Sequence, residues 1–112
     1  MYIGELSKRT GLSIKAIRFY EKIDLIKQPE RKGRYRVYQE ADIEILVLIK
    51  EAKELGVTLA QLKDVITYND GKVDWGNIKI FLAEVRKQLL NQIEELKIKV
   101  ISLDECYHQI SP

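Results

Sequence analysis

The sequence predicts an all-α chain with a small β wing. A head of short helices occupies residues 1–70, and residues 71–112 form a long coiled-coil helix with a short tail. Three observations predict this. Two short helical segments flank a tight turn at Thr10-Gly11. A run from Arg34 to Tyr38 alternates with the period of a strand. From Trp75 onward, apolar residues recur at steps of three and four with no interior Pro and no Gly after Gly76.

The first helix carries Ile3, Leu6 and Ser7 and is stopped by Gly11. Ser13 is a good N-cap for a second helix from Ile14 to about Ile23, since its hydroxyl can accept from a free N–H of the first turn. Ile14, Ile17 and Leu25 are expected to face inward, with Lys15, Arg18 and Lys22 outward. Phe19 is expected in the core. Two short helices joined by a tight glycine turn form a helix-turn-helix pattern. Pro29 and Gly33 then punctuate a hairpin arm. Its alternation puts Arg34, Arg36 and Tyr38 on one face and Tyr35 and Val37 on the other.

Glu40 to about Leu55 reads as a third helix, with Gly56 placed to end it. Thr58 followed by Gln61 is a capping-box pattern for a fourth helix, Leu59 to about Tyr68. Asn69-Asp70-Gly71 reads as a turn, and Asp74 caps the last helix. Along that helix Ile78, Leu82, Val85, Leu89, Ile93, Leu96, Val100, Leu103 and Tyr107 form a heptad seam, with one stutter between Leu89 and Ile93. At 1.5 Å per residue it would span about 50 Å. A head of this size cannot cover such a helix, so the seam is expected to pair with a second copy of the chain.

Composition narrows the function classes. The 112 residues are 46% hydrophobic and 32% charged, as expected of an ordered globular chain. The formal net charge is only +2, but it is unevenly spread. Residues 1–38 hold 10 Lys and Arg against 4 Asp and Glu, and residues 39–112 hold 9 against 13. A basic front on an acidic rear points to a nucleic-acid-binding head. The single cysteine, Cys106, excludes an intrachain disulfide framework and fits a reducing cytoplasm. MYIGELSKRT is not a signal peptide, and no apolar run approaches a membrane span. No phosphate-binding glycine loop and no H-E-x-x-H pattern is present, so no enzyme chemistry is expected. No cofactor and no metal site are expected either.

The chemistry lies in two basic-aromatic clusters. The second helix carries Lys15, Arg18 and Tyr20, and the hairpin carries Arg31, Arg34, Arg36 and Tyr38. Guanidinium groups bind phosphates and guanine edges, and tyrosine hydroxyls bond phosphate oxygens. These seven residues are the expected nucleic-acid contacts, and the family resemblance below implies that the nucleic acid is DNA. Ile78, Leu82, Val85, Leu89, Ile93, Leu96 and Val100 are the expected dimer contacts.

The chain resembles the MerR family of bacterial transcription regulators over nearly its whole length. Met1-Tyr2-Ile3-Gly4-Glu5-Leu6-Ser7 resembles the family's opening, and Thr10-Gly11-Leu12-Ser13 its helix-turn-helix turn. Ile17-Arg18-Phe19-Tyr20-Glu21 matches the recognition-helix motif R-[FY]-Y-E. Arg31 with Tyr35-Arg36-Val37-Tyr38 matches the wing motif, while Asp42-Ile43 and Leu55-Gly56-Val57-Thr58-Leu59 match the second half of the head. Two residues depart from the pattern. Asp24 stands where the family usually has Gly, and Gly33 lies one place earlier than the usual wing glycine, so the hairpin is expected to turn differently. The resemblance implies a homodimer with the last helices paired antiparallel. It implies a pseudo-palindromic double-stranded operator between promoter elements, RNA polymerase at that promoter, and activation by bending and untwisting the DNA. It also implies an effector bound near the end of the dimer helix.

The chain runs only six residues past Cys106, so any sensor is expected to be built from the ends of the dimer helix. Those ends supply Trp75, Phe81, Cys106, Tyr107 and His108. Metal sensors of the family carry two cysteines around a loop after this helix. Here Cys106 stands alone, and Trp75 occupies the place where divalent-metal sensors put a third cysteine. The reading expected for Cys106 is a small hydrophobe at the end of the coil. Two rivals to the regulator reading share some of these features: an architectural or excisionase-like DNA-binding factor without an effector, and a coiled-coil adaptor that binds a protein partner.

Overall fold

The computed structural model describes all 112 residues, which form two compact units, Met1–Asp74 and Trp75–Pro112. In the first unit, helix α1 (Ile3–Thr10) ends at Gly11, whose φ of 75° returns its N–H to the Ser7 carbonyl at 3.0 Å. The buried Thr10 hydroxyl donates to the Leu6 carbonyl at 2.9 Å and accepts from the Leu12 N–H at 3.2 Å. The Ser7 hydroxyl donates to the Leu12 carbonyl at 2.6 Å. These bonds fix the turn, and the Ser13 hydroxyl then caps helix α2 (Ile14–Lys22) by accepting from the Ala16 N–H at 3.0 Å.

The ends of α2 and of α3 (Glu40–Glu54) are built alike. After α2 the Leu25 N–H reaches back to the Tyr20 carbonyl at 2.9 Å and the Asp24 N–H to that of Glu21 at 3.1 Å. After α3 the Val57 N–H reaches Ala52 and the Gly56 N–H reaches Lys53, both at 3.0 Å. Both are Schellman motifs, which need one left-handed residue. Gly56 fills that place with φ 93°, and Asp24 fills it with φ 58°. The departure at Asp24 therefore keeps the turn, because a short polar side chain tolerates this region better than most.

Strands β1 (Glu30–Lys32) and β2 (Tyr35–Val37) pair antiparallel, with Lys32 opposite Tyr35. The two-residue loop has Gly33 at φ 64°, and Arg34 keeps a negative φ. That is the backbone pattern of a type II′ hairpin, which places glycine first. The wing closes tightly with its glycine one place early. Beyond β2, the Tyr38 N–H donates to the Met1 carbonyl at 2.7 Å and the Met1 amine donates to the Tyr38 carbonyl at 2.9 Å.

Helix α4 (Leu59–Val65) has its capping box: the Gln61 N–H donates to the Thr58 hydroxyl at 3.1 Å, and the Thr58 N–H to the Gln61 side-chain carbonyl at 2.9 Å. It ends three residues before the expected Tyr68, because the chain enters a second hairpin, β3 (Tyr68–Asn69) with β4 (Lys72–Val73). Asp70 and Gly71 form its loop at φ 52° and 76°, the type I′ pattern that Asp-Gly favours. This hairpin carries the first unit past the division expected at residue 70. Its core holds Leu6 of α1, Ile17 and Tyr20 of α2, Leu46 and Ile49 of α3, and Leu62 of α4. Helix α1 packs on both α2 and α3.

The second unit is helix α5 (Trp75–Gln109) with the last three residues. Along the heptad row Ile78 is buried and Leu82 and Val85 are half-buried. From Leu89 onward the row is open to solvent, with Leu96 at 60% exposure. No helix is long and apolar enough to cross a membrane.

Candidate nucleic-acid interface

Helix α2 divides cleanly. Ile17, Tyr20 and Glu21 are buried, whereas Ile14, Lys15, Arg18, Phe19 and Lys22 are exposed. Lys15, Arg18 and Lys22 follow at steps of three and four, so they share one face. None of the three is in an ion pair, unlike Arg9 with Glu40, Arg36 with Glu21 and Lys97 with Glu94. A row of free cations on one helix face is an anion-binding surface.

Two expectations on α2 are reversed. Tyr20, expected to contact DNA, is only 4% exposed, and Phe19, expected in the core, is 45% exposed. Tyr20 lies three residues after Ile17 and so shares its inward face, whereas Phe19, two residues after, does not. Ile14 also faces out rather than in, at 37% exposure.

The wing presents Arg31, Lys32, Arg34 and Tyr35 to solvent. The Tyr35 ring lies 5.5 Å from that of Tyr2, and both are exposed. Burial does not alternate along β2, where Arg36 and Val37 are both half-buried, but Arg36 and Tyr38 both turn toward Glu21 of α2. Tyr38 is almost fully buried, and its hydroxyl donates to Glu21 Oε1. Burial first, and then this hydrogen bond to the Glu21 carboxylate, push the Tyr38 phenol well above its ordinary range. Tyr38 is thus a core residue, not a surface contact. Arg36 is half-buried, with Nε 3.3 Å from Glu21 Oε2. The two atoms form an ion pair, but neither has an aligned hydrogen-bond partner. Glu21, itself 2% exposed, had no sequence signal beyond its place in the motif.

The expected effector residues lie at the two ends of α5. Trp75 is its first residue, and Cys106, Tyr107 and His108 are exposed near its last. Thirty-one residues of helix separate Trp75 from Cys106, roughly 47 Å at 1.5 Å per residue. One chain therefore does not bring them together. Tyr107 and His108 meet edge to face, with ring centroids 5.4 Å apart.

Residues 1–69 match the family described as MerR HTH family regulatory protein. A Haemophilus influenzae protein named a probable heavy metal-dependent transcriptional regulator is 36% identical over 118 aligned positions, covering 100% of this chain and 92% of the relative. The transcriptional regulator CueR of Yersinia pestis is 31% identical, covering 95% of this chain and 81% of its own length. Among solved structures, a MerR-family regulator from Bacillus cereus superposes with a TM-score of 0.60 at 26% identity, covering 97% of this chain and 81% of that one. The N-terminal part of the Bacillus subtilis multidrug transporter activator, MtaN, shares the fold with a TM-score of 0.69 at 21% identity, covering 96% and 97%.

A helix-turn-helix with a two-stranded wing and a free cationic helix face, followed by a long helix, defines a winged helix-turn-helix transcription regulator. The chain belongs to the MerR family, whose members matched here are regulators and not enzymes. The Haemophilus influenzae relative carries a name tied to heavy metals. No three His, Cys, Asp or Glu side chains converge in this chain. Its one thiol, Cys106, stands exposed with His108 two residues on, and a soft metal needs more thiolate or imidazole donors to close its sphere. The residues of one chain do not fit a closed metal site.

Proposed function

We propose that the protein is a homodimeric, sequence-specific DNA-binding regulator that acts by distorting promoter DNA. One observation carries this reading: the unpaired cations Lys15, Arg18 and Lys22 on the outer face of α2. A helix of this kind enters the major groove, where lysine and arginine meet guanine edges and flanking phosphates. Arg31 and Arg34 on the wing then take backbone phosphates. Leu82, Val85, Leu89, Ile93, Leu96 and Val100 join two chains through antiparallel α5 helices, with Ile78 at the start of the row. A two-fold dimer reads a pseudo-palindromic operator. RNA polymerase at the distorted promoter is the further partner, and the cytoplasm is the location such a target requires. In the antiparallel pair Trp75 of one chain approaches Tyr107 and His108 of the other, an aromatic setting for an organic effector.

The test is an operator selected from randomised duplex DNA by the wild-type chain. Arg18→Ala is expected to weaken binding to it by about 1–3 kcal/mol at physiological salt, with circular dichroism and dimer mass unchanged. Unchanged affinity would remove α2 as the reading helix. Binding that ignores salt would instead favour the adaptor, since phosphate contacts release counterions.

A further inference from the structure

The buried pair beneath the wing has a feature that packing alone does not explain. Glu21 is a carboxylate at 2% exposure, and only Oε1 has a hydrogen bond, from the Tyr38 hydroxyl. Its Oε2 faces Arg36 Nε at 3.3 Å without an aligned bond. The Arg36 side chain is still 30% exposed. A guanidinium has five donors in a rigid fork, and one edge can be held by a carboxylate while the other stays free. In the hairpin register Arg36 lies directly opposite Arg31, so both guanidinium side chains stand on the same face of the wing. Like charges facing each other repel unless an anion joins them. Glu21 supplies one negative charge from below, and an anion received from solvent would complete the set.

Resting on the DNA-binding reading above, we propose that Glu21 is a positioning residue: it holds Arg36 by its inner edge so that the outer edge meets a DNA backbone phosphate. Tyr38 holds the other oxygen of Glu21 and so fixes the carboxylate. The arrangement links the reading helix to the wing through one buried carboxylate. The groove contacts of Lys15, Arg18 and Lys22 and the phosphate contact of Arg36 are thereby set in one register.

The experiment measures binding of the full chain to the selected operator by fluorescence anisotropy across a potassium chloride series. Arg36→Ala is expected to lower the salt slope by about 0.9 per protomer, roughly 1.8 for a dimer on two half-sites. Glu21→Gln is expected to lower it by the same amount although every cation remains. The double variant should lose no more than Arg36→Ala alone. This outcome separates positioning from general electrostatics, because removing an anion from the head would otherwise steepen the salt dependence. A slope kept in full by Glu21→Gln, or losses that simply add in the double variant, would overturn the proposal. So would a slope untouched by Arg36→Ala, which would leave Arg36 as an internal latch.

Arg36→Lys decides the matter should Glu21→Gln fail to fold. An ammonium is a point charge without the fork and cannot serve the carboxylate and a phosphate at once in the same way. It is expected to lose the slope increment seen with alanine, and full retention would overturn the proposal. Wild-type binding without any salt dependence would overturn the DNA-binding reading itself, and this inference with it, a failure visible before any variant is made.

Discussion

In the head, Leu6, Ile17, Leu46 and Ile49 are shielded almost completely from solvent, while in α5 Leu89, Ile93, Leu96 and Val100 stand open. The first set comes from three helices, α1, α2 and α3, and the second forms a single row along α5. The difference is that the helices of the head cover one another, whereas α5, 35 residues long, leaves its row exposed from Leu89 onward. Fully burying one such side chain contributes about 1.5–3 kcal/mol. Four of them per chain, left exposed, are a large unused driving force for association. The head buries its own apolar rows, whereas α5 leaves most of its row exposed, as the dimer proposed above requires.

The sharpest way to break this contrast is at Leu89. It lies midway between Ile78 and Val100, eleven residues from each. An antiparallel pairing brings the two copies of such a midpoint close together. Leu89→Lys would then bury two like charges side by side, at an effective cost of several kcal/mol per ion. The expected result in sedimentation is a monomer with an intact head and no operator binding. Wild-type chains that sediment as monomers at micromolar concentration would refute the pairing altogether. The same substitution at an exposed, off-row position such as Gln88 should change neither quantity.

The legible part of the fold was the part written in local chemistry. Ser13, Thr58 with Gln61, Gly11 and Gly56 each mark a helix end by a bond that a single residue type makes. The type I′ hairpin at Asp70-Gly71 was equally local, but the Asn69-Asp70-Gly71 run reads as a plain turn unless Tyr68 and Val73 are seen as its paired strand ends. The interface was less legible because adjacent residues of one type can take opposite faces. Arg18-Phe19-Tyr20 offers two aromatics side by side, and only the spacing from Ile17 tells which is buried. Tyr38 and Arg36 were placed on the correct common face, but whether that face turns outward depends on Glu21, seventeen and fifteen residues earlier. A tertiary partner of that kind leaves no mark in a period-two pattern.

A smaller change sharpens the picture of the head as self-sufficient. Asp24 and Gly56 occupy the same position of the same helix-ending motif, both with positive φ. Left-handed backbone costs an L residue about 1–2 kcal/mol, and an aspartate somewhat less than most. Asp24→Gly relieves that cost but loosens the unfolded chain, which offsets part of the gain. The expected net effect is a stabilisation of up to about 1 kcal/mol, read as a raised denaturation midpoint with an unchanged slope. Dimer mass and operator affinity should stay as they were, since Asp24 belongs to neither the reading face nor the seam. A fall in stability would mean that the aspartate side chain makes a bond worth more than the strain it carries.

The smallest effect is expected at Cys106, near the end of the helix whose apolar row is exposed. Its thiol is exposed near the end of α5, and no group of three ligating side chains surrounds it. The antiparallel pairing proposed above would not remedy this, because it would send the two Cys106 residues to opposite ends of the dimer. Each end would then offer one thiol and one imidazole, with Trp75 of the partner chain opposite, and a tryptophan supplies no metal ligand. A closed tetrahedral zinc site needs four donors, and a soft copper(I) ion selects sites richer in thiolate. Cys106→Ser is therefore expected to leave operator affinity, dimer mass and promoter control unchanged. The wild-type chain should release zinc and copper(I) on gel filtration. Stoichiometric metal that survives the column and disappears in Cys106→Ser would instead place a metal centre at the helix ends, and it would show that the dimer supplies donors from both chains.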